Sequence, residues 1–444
     1  MIFVHNPSQT LRRELGIFGA IMLGLGSILG TGVFVSISFA IPMTGPATIL
    51  AIAVAAAVAT CNGLSSAQLA ANHAVSGGTY EYGYRWLRPE LGFLAGWMFL
   101  CAKSASAATA ALGFSGYALH SAGLDVVTYL NPVSLITVAA LTILVLSGLR
   151  RSNRANSIIV CMTLTALLIF VLAGLPAAIR SGMQHLKPFF NPTSEPATWF
   201  GFFEASAFMF VAYTGYGRIA TMSEEIRNPQ KNIPRAMIGT LTVSMLIYTS
   251  VAYVGIASLG ADQFGLDHSK PVAPLERVAG QFSQRGIQGV VCVGAMTAMI
   301  GVLLNLILGL SRVVLAMGRR GDLPPVLAKL NRQGTTPYLA VILVAILIGG
   351  LVFVGDPKTT WSFSAFTVLI YYSLTNAAAL RLSKAERLYS PIVSWIGLLA
   401  CLFLAFCIET KIWLLGSALL LLGLLWHAVA KRLTRRRSAK DMGV

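Results

Sequence analysis

Four glycines, Gly24, Gly26, Gly30 and Gly32, crowd around Ser27 and Thr31 near the centre of the first long apolar run. Glycine disfavours a helix interior, and a bilayer core offers no water to unpaired peptide groups. Such a break survives only where the freed N–H and C=O groups meet protein, water or a ligand. Thr214, Gly215 and Gly217 interrupt the sixth apolar run in the corresponding place. A pair of Gly-interrupted membrane segments at matching positions in two halves marks a transporter binding site near the bilayer midplane. Unwinding over residues 26–32 bares the amides of Thr31 and Gly32 at the start of a second half-helix. There the positive dipole end favours an anion by about 0.3–1 kcal/mol, and by up to ~2 kcal/mol when partly buried. Carbonyls that end the first half-helices, at Ile28 in run one and at Val211 and Thr214 in run six, accept from an ammonium. A carboxylate and an ammonium held together describe an amino-acid backbone. The competing explanation is that these glycines only let helices pack closely.

The elements that carry these residues are membrane spans. The chain has 444 residues, 56% hydrophobic and 11% charged, with a mean hydropathy of +0.72. Soluble domains are about one quarter charged, so the expected class is an all-α integral membrane protein. A span needs roughly 20 apolar residues, which places twelve at about 15–40, 45–70, 92–119, 132–149, 156–179, 199–222, 236–260, 286–311, 337–354, 360–380, 390–408 and 412–430.

A net charge of +17 suggests nucleic acid in a soluble protein, but its placement argues otherwise here. With a cytoplasmic N-terminus, the inner loops and tails hold roughly two dozen Lys and Arg, against about seven outside, including Lys187, Lys270 and Lys358. That asymmetry places both termini in the cytoplasm and the chain in the cell membrane. Arg150, Arg151, Arg154, Arg319, Arg320 and the tail from Lys431 to Lys440 carry much of the inner charge. Arg435, Arg436 and Arg437 suit contact with anionic lipid at about 1 kcal/mol per charge, or serve simply as a topology anchor. No nucleic-acid partner is expected. All six cysteines fall inside the expected spans and read as small apolar residues. Arg12, Arg13 and Glu14 precede the first span without a short apolar region and cleavage site, which argues against a removed signal peptide.

Residues 1–14 form an N-terminal cytoplasmic segment, 15–430 one transmembrane domain, and 431–444 a basic tail. Five spans form a first repeat over about 15–180 and five a second over about 199–381. An odd number per repeat inverts their orientation, and two further helices cover about 390–430. In the rival six-plus-six arrangement, span seven would carry the second break. Gly239 and Gly255 there are not clustered.

Several stretches resemble the amino acid-polyamine-organocation permeases. The first is Gly26, Ser27, Ile28, Leu29, Gly30, Thr31, Gly32, Val33, Phe34. Others are Ser76 to Tyr80, Gly92 to Trp97, Ala212 to Tyr216, Glu224 to Pro229 continuing through Arg235, and Ser311 to Pro324. They occur in the family's order from residue 15 to about 340. The resemblance implies a leucine-transporter-like fold with helices 1 and 6 discontinuous, alternating access, and an amino-acid substrate. Its carboxylate would sit on the Thr31 and Gly32 amides and its ammonium on the Ile28, Val211 and Thr214 carbonyls, with Ser27 and Gly215 completing the pocket.

Three departures stand out. Gly217, followed by Arg218, occupies the place where many relatives carry a glutamate. Val211 stands where many carry an aromatic gate, with Phe210 one position earlier. Thr163 stands where proton-coupled relatives carry a lysine, although Arg154, Asn156, Ile158 and Ile159 match them. A second sodium-type site would pair span-one carbonyls near Gly26 and Leu29 with span-eight hydroxyls. Span eight offers Thr297 and then none until Ser311, which disfavours sodium and leaves a proton as the candidate coupling ion.

Lys103 lies about ten residues into span three, roughly 15 Å deep at 1.5 Å per residue. A lysine there costs about 2.5–3.5 kcal/mol and faces the bundle interior. It can titrate and take over coupling, pair with an acidic or polar substrate side chain, or donate to carbonyls around the broken helices. Arg218 lies soon after the span-six break, as a counter-charge or a side chain snorkelling to the cytoplasm. Glu204 is placed at the outer interface, and Asn62, Asn305 and Asn376 read as interhelical hydrogen-bond partners. His73, His120 and His427 are isolated near span ends, with no metal or catalytic role, and no cofactor is implied.

The leading function class is a secondary transporter, symporter or antiporter, for amino acids, with a polyamine transporter or amino-acid exchanger of the same fold as the alternative. A membrane enzyme would need a nucleophile–base or His/Asp cluster on facing spans, and none is present in the sequence pattern. A channel would favour repeated charge rings, which a single Lys103 does not supply.

Overall fold

The structure, a computed structural model, describes residues 15–74, 77–147, 153–181, 183–190, 199–265, 273–332, 336–354 and 356–441. Residues 1–14, Ser76, Arg150, Arg151 and Lys270, named above, lie outside these, as do the side chains of Glu224 and of residues 432–441. The described residues are helical throughout, apart from loops and one isolated bridge between Leu15 and Ile226.

In chain order the helices are α1 (Ile17–Ile28), α2 (Ile37–Thr44), α3 (Thr48–Asn72), α4 (Thr79–Trp86), α5 (Pro89–Ser121), α6 (Val126–Leu146), α7 (Asn153–Ser181), α8 (Trp199–Tyr213) and α9 (Gly217–Thr221). They continue with α10 (Pro229–Leu259), α11 (Ala261–Phe264), α12 (Pro274–Gly280), α13 (Ile287–Arg320), α14 (Tyr338–Val354), α15 (Pro357–Leu380), α16 (Pro391–Phe406) and α17 (Thr410–Asp441). Among the described residues, eight helical stretches are long and apolar enough to cross a membrane, and α1, α14 and α16 are shorter apolar helices.

Local chemistry sets many of the ends. Proline fills the first position of α5, α10, α15 and α16, where its missing N–H costs nothing. The Asp356 carboxylate accepts from the Thr359 amide at 2.8 Å to cap α15, and Asp125 caps α6. Gly321, at φ +84°, ends α13 in the left-handed conformation. Several helices outrun the hydropathy pattern. α6 begins at Val126 with Pro132 inside it, α13 continues to Arg320, and α17 continues through the basic segment to Asp441. Hydropathy marks the apolar part of a helix, while backbone hydrogen bonding carries it on into charged ends.

Burial separates a centre from a periphery. The apolar windows of α15 and α5 are 83% and 72% buried, against 28% for α6 and 22% for the last span. α5 packs along α13 and α15, α3 along α10 and α8, and α1 against α10, α7 and α13. Outward faces expose Ile136, Leu168, Leu172, Ile346, Leu399 and Leu425. Large aliphatics exposed on many helices are what a lipid solvent requires.

Candidate functional site

α1 ends at Ile28, and Leu29 is extended at φ −75° and ψ 99°. Helical structure resumes as a π-turn over Gly32–Ser36 that runs into α2. Among the described residues no backbone acceptor meets the amides of Gly30, Thr31 or Gly32, and the buried Thr31 hydroxyl has no partner. Short π-turns recur at functional sites because they leave backbone groups out of register.

The interruption after α8 is smaller than the sequence pattern suggests. Thr214–Tyr216 forms a 3₁₀ turn that joins α8 to α9, so the chain tightens there and frees fewer groups. Its carbonyls are occupied. The Thr214 hydroxyl donates to Val211 O at 2.7 Å, and the Tyr372 hydroxyl donates to Thr214 O at 3.2 Å. Likewise the single proton of the Tyr248 hydroxyl is shared between Ile28 O at 2.9 Å and Ala212 O at 3.2 Å. A carbonyl has two lone pairs, so an arriving ammonium would share each of these acceptors with a hydroxyl.

The two interruptions touch. A Cβ placed on Gly215 would collide with Ser27 O, Ser27 C and Ile28 N, and one on Gly32 would lie 2.7 Å from the Ala212 Cβ and 2.8 Å from the Tyr248 hydroxyl. Gly26 is equally tight against Asn156, and Gly30 against Val302. The glycines therefore serve close approach as well as bare backbone.

A cavity of about 320 Å³ reaches these interruptions from the Arg319 end of α13. Ser27, Thr214, Gly215, Lys103 and Arg218 line it, together with Phe99, Asn305 and Tyr372. Ile28, Thr31, Gly32, Val211 and Thr163 do not. Thr163 is buried on α7 with its hydroxyl donating to Ile159 O in its own helix. Lys103 lies near the midpoint of the 33-residue α5, 8% exposed, and its ammonium donates to the Thr214 hydroxyl at 2.7 Å. Arg218 lies beside α13. Its Nη1 sits 3.0 Å from the position a Cβ would take on Gly309, across the cavity on α13.

Tyr372 and Tyr248 escaped the sequence argument. A tyrosine in mid-span, away from the interfacial belts where the residue usually sits, must bury its hydroxyl against an acceptor, and that was the available signal. We expect Tyr372→Phe to cost about 1 kcal/mol of stability, the usual net worth of one hydrogen bond, and to alter substrate KM more than the level of folded protein. Thermal melting beside uptake kinetics checks both.

Carbonyls along α1 also take amide donors. Asn156 Nδ2 donates to Met22 O at 2.9 Å, and Asn305 Nδ2 approaches Gly26 O at 3.5 Å. Asn376 Nδ2 donates to Asn62 Oδ1 at 2.5 Å, and Asn62 Nδ2 to the Cys401 sulfur at 3.1 Å, so one cysteine is a hydrogen-bond acceptor and not only an apolar filler. Among the described residues the buried Glu204 Oε1 atom has no hydrogen-bond partner. The three histidines are not isolated. His73 Nδ1 lies 3.0 Å from Arg85 Nη1, His120 Nδ1 3.3 Å from Glu276 Oε2, and His427 Nδ1 3.5 Å from Asp322 Oδ1. Each partner is on another element, which one-dimensional spacing does not reveal.

The amino acid permease family matches residues 19–438. An uncharacterized transporter of Mycobacterium tuberculosis is 36% identical over 98% of this chain and 94% of its own length. A branched-chain amino acid permease of Bacillus subtilis is 28% identical over 91% and 90% respectively, and a methylthioribose transporter of the same organism 26% over 92% and 91%. With matches that run the length of the chain, and with apolar helices that span a bilayer, this protein belongs to the amino acid permease family of multi-pass membrane transporters.

Proposed function

We propose that this protein is a secondary transporter that moves amino acids across the cell membrane by alternating access. One observation carries the proposal. A cavity runs in from one end of α13 and stops at Ser27, Thr214 and Gly215, where the ends of two interrupted helices meet. Taking α1 with α2 and α8 with α9 as one span each gives twelve: five, five in inverted orientation, and two more. The arginines at the cavity mouth, Arg312 and Arg319, support a cytoplasmic mouth by the positive-inside rule, with both termini on the same side. On the other side of the interruptions Phe34, Phe208, Phe210 and Trp361 are buried, as an outer barrier requires in an inward-open state.

The substrate carboxylate binds at the unpaired amides of Gly30, Thr31 and Gly32, with the Thr31 hydroxyl beside them. The ammonium shares the carbonyls of Ile28, Val211 and Thr214. Closure of the cavity brings the substrate from Ser27 and Gly215 to these groups. The name of the Bacillus subtilis branched-chain amino acid permease supports an amino-acid substrate.

Sodium coupling is disfavoured by the donors present. An amide N–H of Asn305, not a hydroxyl oxygen, faces Gly26 O, while the Thr297 hydroxyl donates to Val293 O in its own helix. We therefore expect uptake to be unchanged when external sodium is replaced by choline, and a loss on replacement would overturn this part. An imposed proton gradient is the second arm, in which acceleration marks a proton symporter and no change an exchanger or uniporter. The test of the whole is uptake of a panel of labelled amino acids into proteoliposomes. At least one must enter or exchange; entry of none would contradict the proposal.

A further inference from the structure

We infer that the cavity selects substrates bearing a net negative charge, with dicarboxylic amino acids as the class. The inference rests on the transporter reading above and adds the charge of the substrate side chain to it. Four cationic residues line the cavity, Lys103, Arg218, Arg312 and Arg319, and among the described residues no Asp or Glu does. Arg312 and Arg319 lie towards the end of α13, where topology alone accounts for arginine. Lys103 is different. It sits at the inner limit of the cavity, 8% exposed, on the most deeply placed pair of helices.

Two acids near that end of α13 are committed elsewhere. Glu81 pairs with Arg320 at 2.7 Å, and Asp322 accepts from Tyr80 and Tyr84. Among the described residues no ion pair includes Lys103. A buried ammonium held by one hydroxyl is an incomplete arrangement, because a charge out of water is normally matched by an opposite one. The substrate is the component that arrives.

Geometry then sets which substrate fits. Lys103 bonds to Thr214, and the Thr214 and Val211 carbonyls are where the substrate ammonium belongs. A neutral amino acid brings its ammonium to within one residue of a second ammonium and leaves the repulsion standing. A side-chain carboxylate placed between Lys103 and Arg218 removes it. The arrangement also rejects cationic amino acids and polyamines.

The experiment compares isosteres that differ only in charge, aspartate against asparagine and glutamate against glutamine, as competitors and as labelled substrates in proteoliposomes. We expect the acid to compete about tenfold better than its amide, that preference to fall to about twofold or less in Lys103→Met, and Lys103→Arg to retain it. Monodisperse detergent-solubilised protein with an unchanged melting profile certifies that a variant is folded. Arg218→Gln is the second variant should Lys103→Met not fold, with the same narrowing expected. Equal competition by acids and amides, or an acid preference that survives in both variants, overturns the inference while amino-acid uptake stands. If succinate competes as well as aspartate, the charge selection holds and the amino-acid reading fails. If nothing in the panel enters, both fail.

Discussion

Gly215→Val is expected to abolish uptake and to destabilise the folded protein by about 3 kcal/mol, the upper part of the range for overpacking. The reason is what lies under the glycine. Its missing Cβ faces Ser27 O, Ser27 C and Ile28 N, all backbone atoms at the end of α1, which no rotamer change can move. Any side chain there levers the two interrupted helices apart, and with them Ser27, Thr214 and the Lys103 contact. Gly217, in the same stretch, is the control. Among the described residues a Cβ there meets only the Tyr372 hydroxyl, at 2.9 Å, so Gly217→Ala should cost one hydrogen bond, about 1 kcal/mol, and retain measurable transport. Gly350, with nothing among the described residues within 4 Å, should accept alanine without penalty. Melting temperature and initial uptake rate, measured on all three, separate the outcomes. An active, stable Gly215→Val protein would mean that the two helix ends need not touch.

The second large effect is expected at Asp322→Ala, about 3 kcal/mol of stability. Asp322 is buried just beyond α13, and its carboxylate accepts from Tyr80 at 2.7 Å and from Tyr84 at 2.7 and 2.9 Å. Its backbone carbonyl accepts from Trp426 of α17 at 2.8 Å, and Arg320 stacks 4.0 Å over the Tyr84 ring. One residue thus ties α4, the end of α13 and α17. Removing the carboxylate strands the buried Tyr80 phenol, worth about 1–3 kcal/mol unsatisfied, and the half-buried Tyr84 phenol, worth less, and Asp322→Asn, which keeps one acceptor oxygen, should lose roughly half as much. Burial first, and the Asp322 carboxylate second, hold the Tyr80 phenol above its ordinary range. A raised pKa in the folded state means that its contribution is complete below about pH 10 and declines as pH rises above that. Burial likewise raises the Glu81 carboxyl, against the pull of Arg320. Faster hydrogen exchange over Thr79–Trp86 should accompany the lowered melting temperature. Unchanged exchange in α4 would show that the tie is not structural.

The glycine clusters pointed in the sequence to residues 26–32 and 214–217, where α1 ends and a 3₁₀ turn follows α8, because lipid leaves few other uses for such clusters. The spans were visible for the same reason, since apolar runs of the right length have one solvent that suits them. Lys103 declared itself by being charged at depth. Its partner did not, because Thr214 is 111 residues away and only packing of α5 against the interruption joins them. The tyrosines on the carbonyls of Ile28 and Thr214 were hidden in the same manner. Tyr248 and Ile28 are separated by 220 residues, and Tyr372 and Thr214 by 158. The degree of unwinding after α8 was also out of reach. A glycine permits an unwound strand and a 3₁₀ turn alike, and the choice falls to neighbours such as Ser27 that press on Gly215.

The position of the bound substrate is the most direct test of this transport site. A density map of the purified protein, saturated with an amino acid that it transports, should show the ligand between the end of α1 and the Thr214–Tyr216 turn, within reach of Lys103. A map with the ligand elsewhere in the bundle, and with this crossing unchanged and unoccupied, would contradict it.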